Sequence, residues 1–186
     1  MEAAFYLLLV VGHLGLFDVL YFHTYKCRLQ ERTECQREVF WHTIRHAVYA
    51  AQFLIVANLR FHGAALLLLA AVYAADIVVA WSDVLEETSS RRGQGGLPRG
   101  EYFMHIVLSL LVGCYLVVVA QAVWPDRLLQ TAVVIDPPQV PLLLRLYMTT
   151  MGIAAVATFF YDLRKWLLFR RRAQMPVAQV ERAEVL

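Results

Sequence analysis

Residues 38–58 read EVFWHTIRHAVYAAQFLIVAN, and the reading of this stretch decides the fold. At 1.5 Å per residue it is long enough to cross ~30 Å of hydrocarbon. Its polar groups are gathered at one end. Glu38, His42 and His46 stand at i, i+4 and i+8, so a helix carries them as one stripe, with Arg45 alongside. A membrane helix with titratable groups at one end must bring them to partners on neighbouring helices, because hydrocarbon offers none.

Four further apolar blocks have comparable length. With residues 38–58 they give five predicted spans, at about 3–24, 38–58, 64–83, 101–123 and 142–168. The composition agrees: 60% of the 186 residues are hydrophobic and only 17% charged, with a mean hydropathy of +0.53, whereas soluble domains are about 45–50% apolar. The expected fold is all-α, a polytopic membrane protein with one transmembrane domain over residues 1–168. Four helices form the bundle and the fifth lies peripherally, outside the polar site or against another subunit, including a second copy of the chain. Residues 169–186 are expected to form a basic, disordered cytoplasmic tail. The opening segment MEAAFYLLLVVG has no basic region ahead of it and no convincing cleavage site, so it reads as a retained helix.

Lys and Arg placement sets the expected orientation. The 25–37 loop, the 88–100 loop and the C-terminal tail fall on one side and hold Lys26, Arg28, Arg32, Arg37, Arg91, Arg92, Arg99 and the Arg170–Arg172 run. The other side has only Arg60, Arg127 and Arg145 near its surface. The basic side is therefore read as cytoplasmic, with the N-terminus outside a cell (inner) membrane. Cys27, Cys35 and Cys114 match no metal-finger spacing, and a cytoplasmic loop keeps the first two reduced. The basic tail would attract anionic lipid, and nothing points to nucleic acid.

The titratable residues converge at the basic end. The first span has His13, Asp18 and His23; the third has Asp76 and Asp83, with Glu86 and Glu87 at its end; the fourth starts with Glu101 and His105. Asp76, Asp83 and Glu87 share a face, and so do Glu101 and His105. In the first span His13 and His23 are about 80° apart and Asp18 lies off both at 100° per residue. The helical rise puts His42, His105, Asp83 and Asp18 in one shallow layer, and His13, His46 and Asp76 about 13–18 Å in.

Each group also has a plainer reading. His23, beside Tyr21, Phe22 and Tyr25, suits a solvated interface. Glu38 and Glu101 at helix starts favour the helix dipole. His62 sits in a turn on the far side, Glu87 has better phase than Glu86, and Arg45 suits a counter-ion to one of the acids. The candidate metal ligands are accordingly His13, Asp18, Glu38, His42, His46, Asp76, Asp83, Glu101 and His105.

Carboxylates from several helices with His one turn away resemble the plan of the di-metal carboxylate four-helix bundles, here over about residues 10–106 and within a membrane. The spacing departs from that plan's Glu-x-x-His: here it is Glu38-x-x-x-His42 and Glu101-x-x-x-His105. The resemblance implies two divalent ions, iron or zinc with manganese as a third candidate, and oxidoreductase or hydrolase chemistry on a lipid or quinone-like substrate. Two other readings remain open: a b-type cytochrome with haem b between His46 and His13 or His105, and a proton or metal-ion transporter.

Overall fold

The computed structural model describes residues 1–136 and 139–173. Pro137, Pro138 and most of the expected tail, residues 174–186, lie outside the described residues. Five long helices follow one another: α1 (Glu2–Asp18, continued by a π-helix over Val19–Lys26), α2 (Gln36–Asn58), α3 (Leu66–Ser90), α4 (Arg99–Val123) and α5 (Leu142–Ala173). Two short strands, β1 (Arg60–His62) and β2 (Ala132–Val134), pair antiparallel.

Among the described residues four segments are long and apolar enough to cross a membrane: Glu2–Lys26, Gly63–Ser90, Arg99–Leu128 and Leu142–Arg171. The exception is α2, which carries Glu38, His42, Arg45, His46 and Gln52 along its length, and its position accommodates them. It packs along both α3 and α5, while α1 packs on α4. Trp166 Nε1 on α5 donates to the Gln36 carbonyl at 3.2 Å, and at the opposite end Asn58 donates to Thr149 Oγ1 at 3.1 Å. These two bonds run α2 and α5 antiparallel over their whole contact, so α5 is a principal neighbour of α2. The polar residues of α2 thus face protein, the condition under which such a helix is tolerated beside lipid.

The bundle divides into two halves. Towards the β1–β2 end the core is apolar, built from Phe5, Leu8, Phe53, Val56, Leu69 and Met148 among others. The strands tie the α2–α3 turn to the α4–α5 connection there, and Arg60 pairs with Asp126 and Asp136 at 3.3 and 3.2 Å. Towards the other end the buried stripes turn polar. Along α3 the buried positions are Leu69, Tyr73, Asp76, Val79, Asp83, Glu87 and Ser90, a spacing of three and four that keeps one face inward while its chemistry changes. Along α4 they are Glu101, Leu108, Tyr115 and Val119.

Two backbone features aim the polar half. The first is the π-helix Val19–Lys26, closed by Cys27 N–H donating to the Phe22 carbonyl at 2.8 Å. Its i→i+5 bonding lays residues five apart along one face. The second is the turn after α3, where Gly95 and Gly96 have φ of +82° and +94°, values a Cβ disfavours. Gly96 N–H donates to the Arg91 carbonyl at 3.0 Å, and the Arg91 side chain turns into the bundle.

A candidate metal centre

Arg91 is wholly buried and joins two helix starts. Its Nη2 donates to Glu38 Oε1 at 2.6 Å and to Glu101 Oε1 at 2.8 Å, and its Nε reaches Glu38 at 3.0 Å. Ser90 Oγ also donates to Glu38. Glu38 is therefore held by α3 and its following turn, while Glu101 Oε1 is shared between Arg91 and His23, and Arg91 Nη1 reaches its Oε2 at 3.4 Å.

Beside this clamp four side chains from two helices come together. Asp18, His23, Glu101 and His105 each offer one ligand atom, and these atoms lie within 4.8 Å of one another. His23 Nε2 is 3.0 Å from Glu101 Oε1 and 3.5 Å from Asp18 Oδ2. His105 Nε2 is 3.3 Å from Asp18 Oδ2, and its Nδ1 is 3.4 Å from Glu87 Oε2. Asp18 and Glu101 are nearly inaccessible, at 3% and 0% exposure. In an α-helix, residues five apart point about 140° apart at 100° per residue. The π-helix removes that divergence and lets Asp18 and His23 serve one site.

A second set adjoins the first. The rings of His23 and His42 are 4.2 Å apart. His42 Nδ1 lies 3.0 Å from Asp83 Oδ2, which Arg45 also reaches at 3.4 Å. His46 lies 5.6 Å from His42, ring to ring, and its Nδ1 is 3.0 Å from Asp162 on α5.

The structure thus brings together Asp18, His42, Asp83, Glu101 and His105, and it adds His23 and Glu87. Glu38 is present at the edge, spent on Arg91. The deeper layer does not form a site. His46 turns to Asp162. Asp76 is buried apart, with Oδ1 unpartnered among the described residues. His13 hydrogen-bonds the Leu9 carbonyl at 2.7 Å and the Tyr147 hydroxyl at 2.8 Å, stacked on the tyrosine ring. Arg45 is the counter-ion the sequence suggested. Glu86 pairs with Arg37 near the surface, leaving Glu87 for the interior.

Three participants escape the sequence reading. His23 is 5% exposed rather than solvated. Arg91 reads as one more topology-setting cation in its loop. Asp162 reads as part of a helix with little polar chemistry; the signal available was its place as the one acid within residues 142–168.

Among the described residues the polar half holds seven buried carboxylates, Asp18, Glu38, Asp76, Asp83, Glu87, Glu101 and Asp162, beside the guanidiniums of Arg45 and Arg91 and the imidazoles of His23, His42, His46 and His105. Asp18 Oδ1, Asp83 Oδ1 and Glu87 Oε1 have no hydrogen-bond partner among the described residues, and His23 Nε2 faces its carboxylates without the alignment of a hydrogen bond. Buried acceptors in this number call for cations. Two imidazoles and two carboxylates are a donor set suited to zinc, iron or manganese. Bonds of about 2.0–2.2 Å place ligand atoms roughly 3–4 Å apart, within small rotamer adjustments of the spacing seen. The donor set fits a divalent ion.

Outside the spans, Cys27 and Cys35 are free and buried with Leu29 under the 25–37 loop. Burial, reinforced by nearby Glu38, pushes the Cys35 thiol up to about 11. No known family matches this chain, and neither the curated proteins nor the solved structures give a match.

Proposed function

We infer that the protein is a membrane-embedded metalloprotein whose ion is held by Asp18, His23, Glu101 and His105. The observation that carries this reading is that group itself: two imidazoles and two carboxylates from α1 and α4 within 4.8 Å of one another, three of them buried and His105 half-buried. The second ion expected from the di-metal plan would take His42 and Asp83. It has less support: only one imidazole and one carboxylate meet there, His42 and Asp83, with Arg45 3.4 Å from the carboxylate.

A bound divalent ion with an open position supplies Lewis acidity and, for iron or manganese, redox chemistry. Around it this chain's own residues do three things. Arg91 fixes the direction of Glu101, Glu87 faces the second nitrogen of His105 and orients the ring, and the apolar half keeps water from the far side. An oxidoreductase or hydrolase acting on a membrane-soluble substrate is the function this arrangement supports best. With five crossings, α2 shielded between α3 and α5, the centre lies near the cytoplasmic face, as the Lys and Arg distribution suggests.

Haem ligation has weaker support. Both ring nitrogens of His105 face carboxylates, and His13 is engaged by Tyr147. Transport has weaker support too. A polar column continues through Asp76, Gln52 and the Tyr73–Tyr115 hydroxyl pair, then meets the apolar core of Phe5, Leu8 and Val119. Metal analysis of variants tests the assignment. His105→Ala, His23→Ala and Asp18→Asn should each lower bound metal at least severalfold, with His62→Ala unchanged. Wild-type metal content in all three site variants would refute it.

A further inference from the structure

A cavity of about 620 Å³ opens between α1, α2 and α5, within the 300–1,000 Å³ range of small-molecule sites. Its outer wall is made of small residues, among them Gly15, Ala154 and Ala157, and of Leu16 and Leu20. Leu16, Leu20, Ala154 and Ala157 are exposed on the bundle's flank, so the slot faces the bilayer. Its inner end is polar, formed by His42, Arg45, His46 and Tyr49, with Asp18 of the candidate metal centre alongside. We propose that this slot binds an isoprenoid quinone, its chain among the apolar residues and a ring carbonyl at Arg45 and Tyr49. The proposal rests on the reading of the chain as a membrane protein and deepens it by naming the substrate class.

Three observations select that occupant. Arg45 spends Nη1 on Asp83 and Nη2 on the Tyr49 hydroxyl, at 3.4 and 3.3 Å, while its buried Nε–H has no partner among the described residues. The inner end therefore offers a donor and wants an acceptor oxygen. Charge disfavours an anionic head: Asp18 lines the slot, and Asp83, held by His42 and Arg45, stands behind its inner end. A cationic head would meet the guanidinium of Arg45. A neutral carbonyl remains, and a flat ring suits the space beside the planar groups of His42, His46 and Tyr49, where the two imidazoles stand perpendicular. The slot delivers the ring next to His42 and so next to the metal group.

Gly15 gives a direct test. A Cβ built there meets nothing within 4 Å, and Gly15 lines the slot, so a leucine side chain has a clash-free start and is expected to take up part of the slot's volume. Gly113 on α4 is equally unobstructed but does not line the cavity, and Gly113→Leu is the control. The probe is ubiquinone with two isoprene units, titrated calorimetrically into the full chain in detergent, with empty micelles subtracted. Metal content is measured on each sample. Saturable binding near one equivalent is expected, weakened at least tenfold by Gly15→Leu, severalfold by Tyr49→Phe, and unchanged by Gly113→Leu. Binding by Gly15→Leu equal to wild type would overturn the proposal, as would equally tight competition by diacylglycerol. Retained metal without quinone binding overturns this inference alone; quinone binding to a metal-free chain that Gly15→Leu abolishes supports it while removing the metal reading.

Discussion

Replacing Arg91 tests whether the polar half is organised as described. The guanidinium is 0% exposed and pairs with Glu38 and Glu101 together, with contacts of 2.6 and 2.8 Å. Arg91→Met keeps the apolar stem but strands two buried carboxylates. Breaking a buried pair by removing one partner costs about 3–5 kcal/mol, chiefly because the remaining charge is uncompensated. For a chain of this length each kcal/mol lowers the midpoint by about 2–4 °C, so a fall of roughly 6–20 °C is expected. The assay is thermal unfolding of the detergent-purified protein at one fixed scan rate, followed by circular dichroism. The diagnostic result is the double variant. Glu38→Gln leaves Arg91 paired with Glu101 and by itself should cost less. Combined with Arg91→Met it removes one of the two stranded charges, so Arg91→Met/Glu38→Gln should be more stable than Arg91→Met alone by at least about 1 kcal/mol. Strictly additive losses would show that Arg91 and Glu38 do not share a buried ion pair, and the clamp would fall with them.

Other outcomes follow from the packing and the loops. Gly12→Ala should destabilise by about 1–3 kcal/mol, since its Cβ would lie 2.7 Å from the Phe53 ring, whereas Gly15→Ala should cost nothing measurable in the same melts. Gly152→Ala should behave like Gly12→Ala, with Leu54 2.7 Å away on the facing helix. Cys27 and Cys35 should resist maleimide at neutral pH until the protein is denatured, because both are buried and the raised pKa of Cys35 keeps it protonated; fast native labelling, read by mass spectrometry, would contradict the loop packing. His13→Phe should leave metal content unchanged while costing about 1 kcal/mol of stability through loss of its bond to Tyr147.

The helices were legible because hydropathy and spacing speak directly about them. The stripe Glu38–His42–His46 predicted a polar face on α2, and the run Asp76–Asp83–Glu87 predicted one on α3; the α3 run is buried throughout, while on α2 Glu38 is buried and His42 and His46 are half-buried. The residues that depart from these stripes show where periodicity stops being informative. Asp18 and His23 look mismatched at 100° per residue, and only the π-helix aligns them. A change of helix type is set by tertiary fit and leaves no mark in hydropathy. His46 and Asp76 share a predicted depth but not a partner, because depth fixes only one coordinate and Asp162 on α5 is nearer to His46. Arg91 was hidden by its neighbourhood: among Arg92, Gly93 and Gly95 it resembles a solvated loop cation. Two carboxylates at separate helix starts, both needing a counter-ion, were the available clue.

The central claim concerns the group Asp18, His23, Glu101 and His105. The most direct measurement is elemental mass spectrometry on the detergent-purified full chain, with an absorption spectrum from the same sample. Retention of at least one equivalent of zinc, iron or manganese per chain after dialysis, with no Soret band and with the metal lost in His105→Ala, is the predicted result. A chain that holds no metal after incubation with each ion, or that holds haem, would contradict the account.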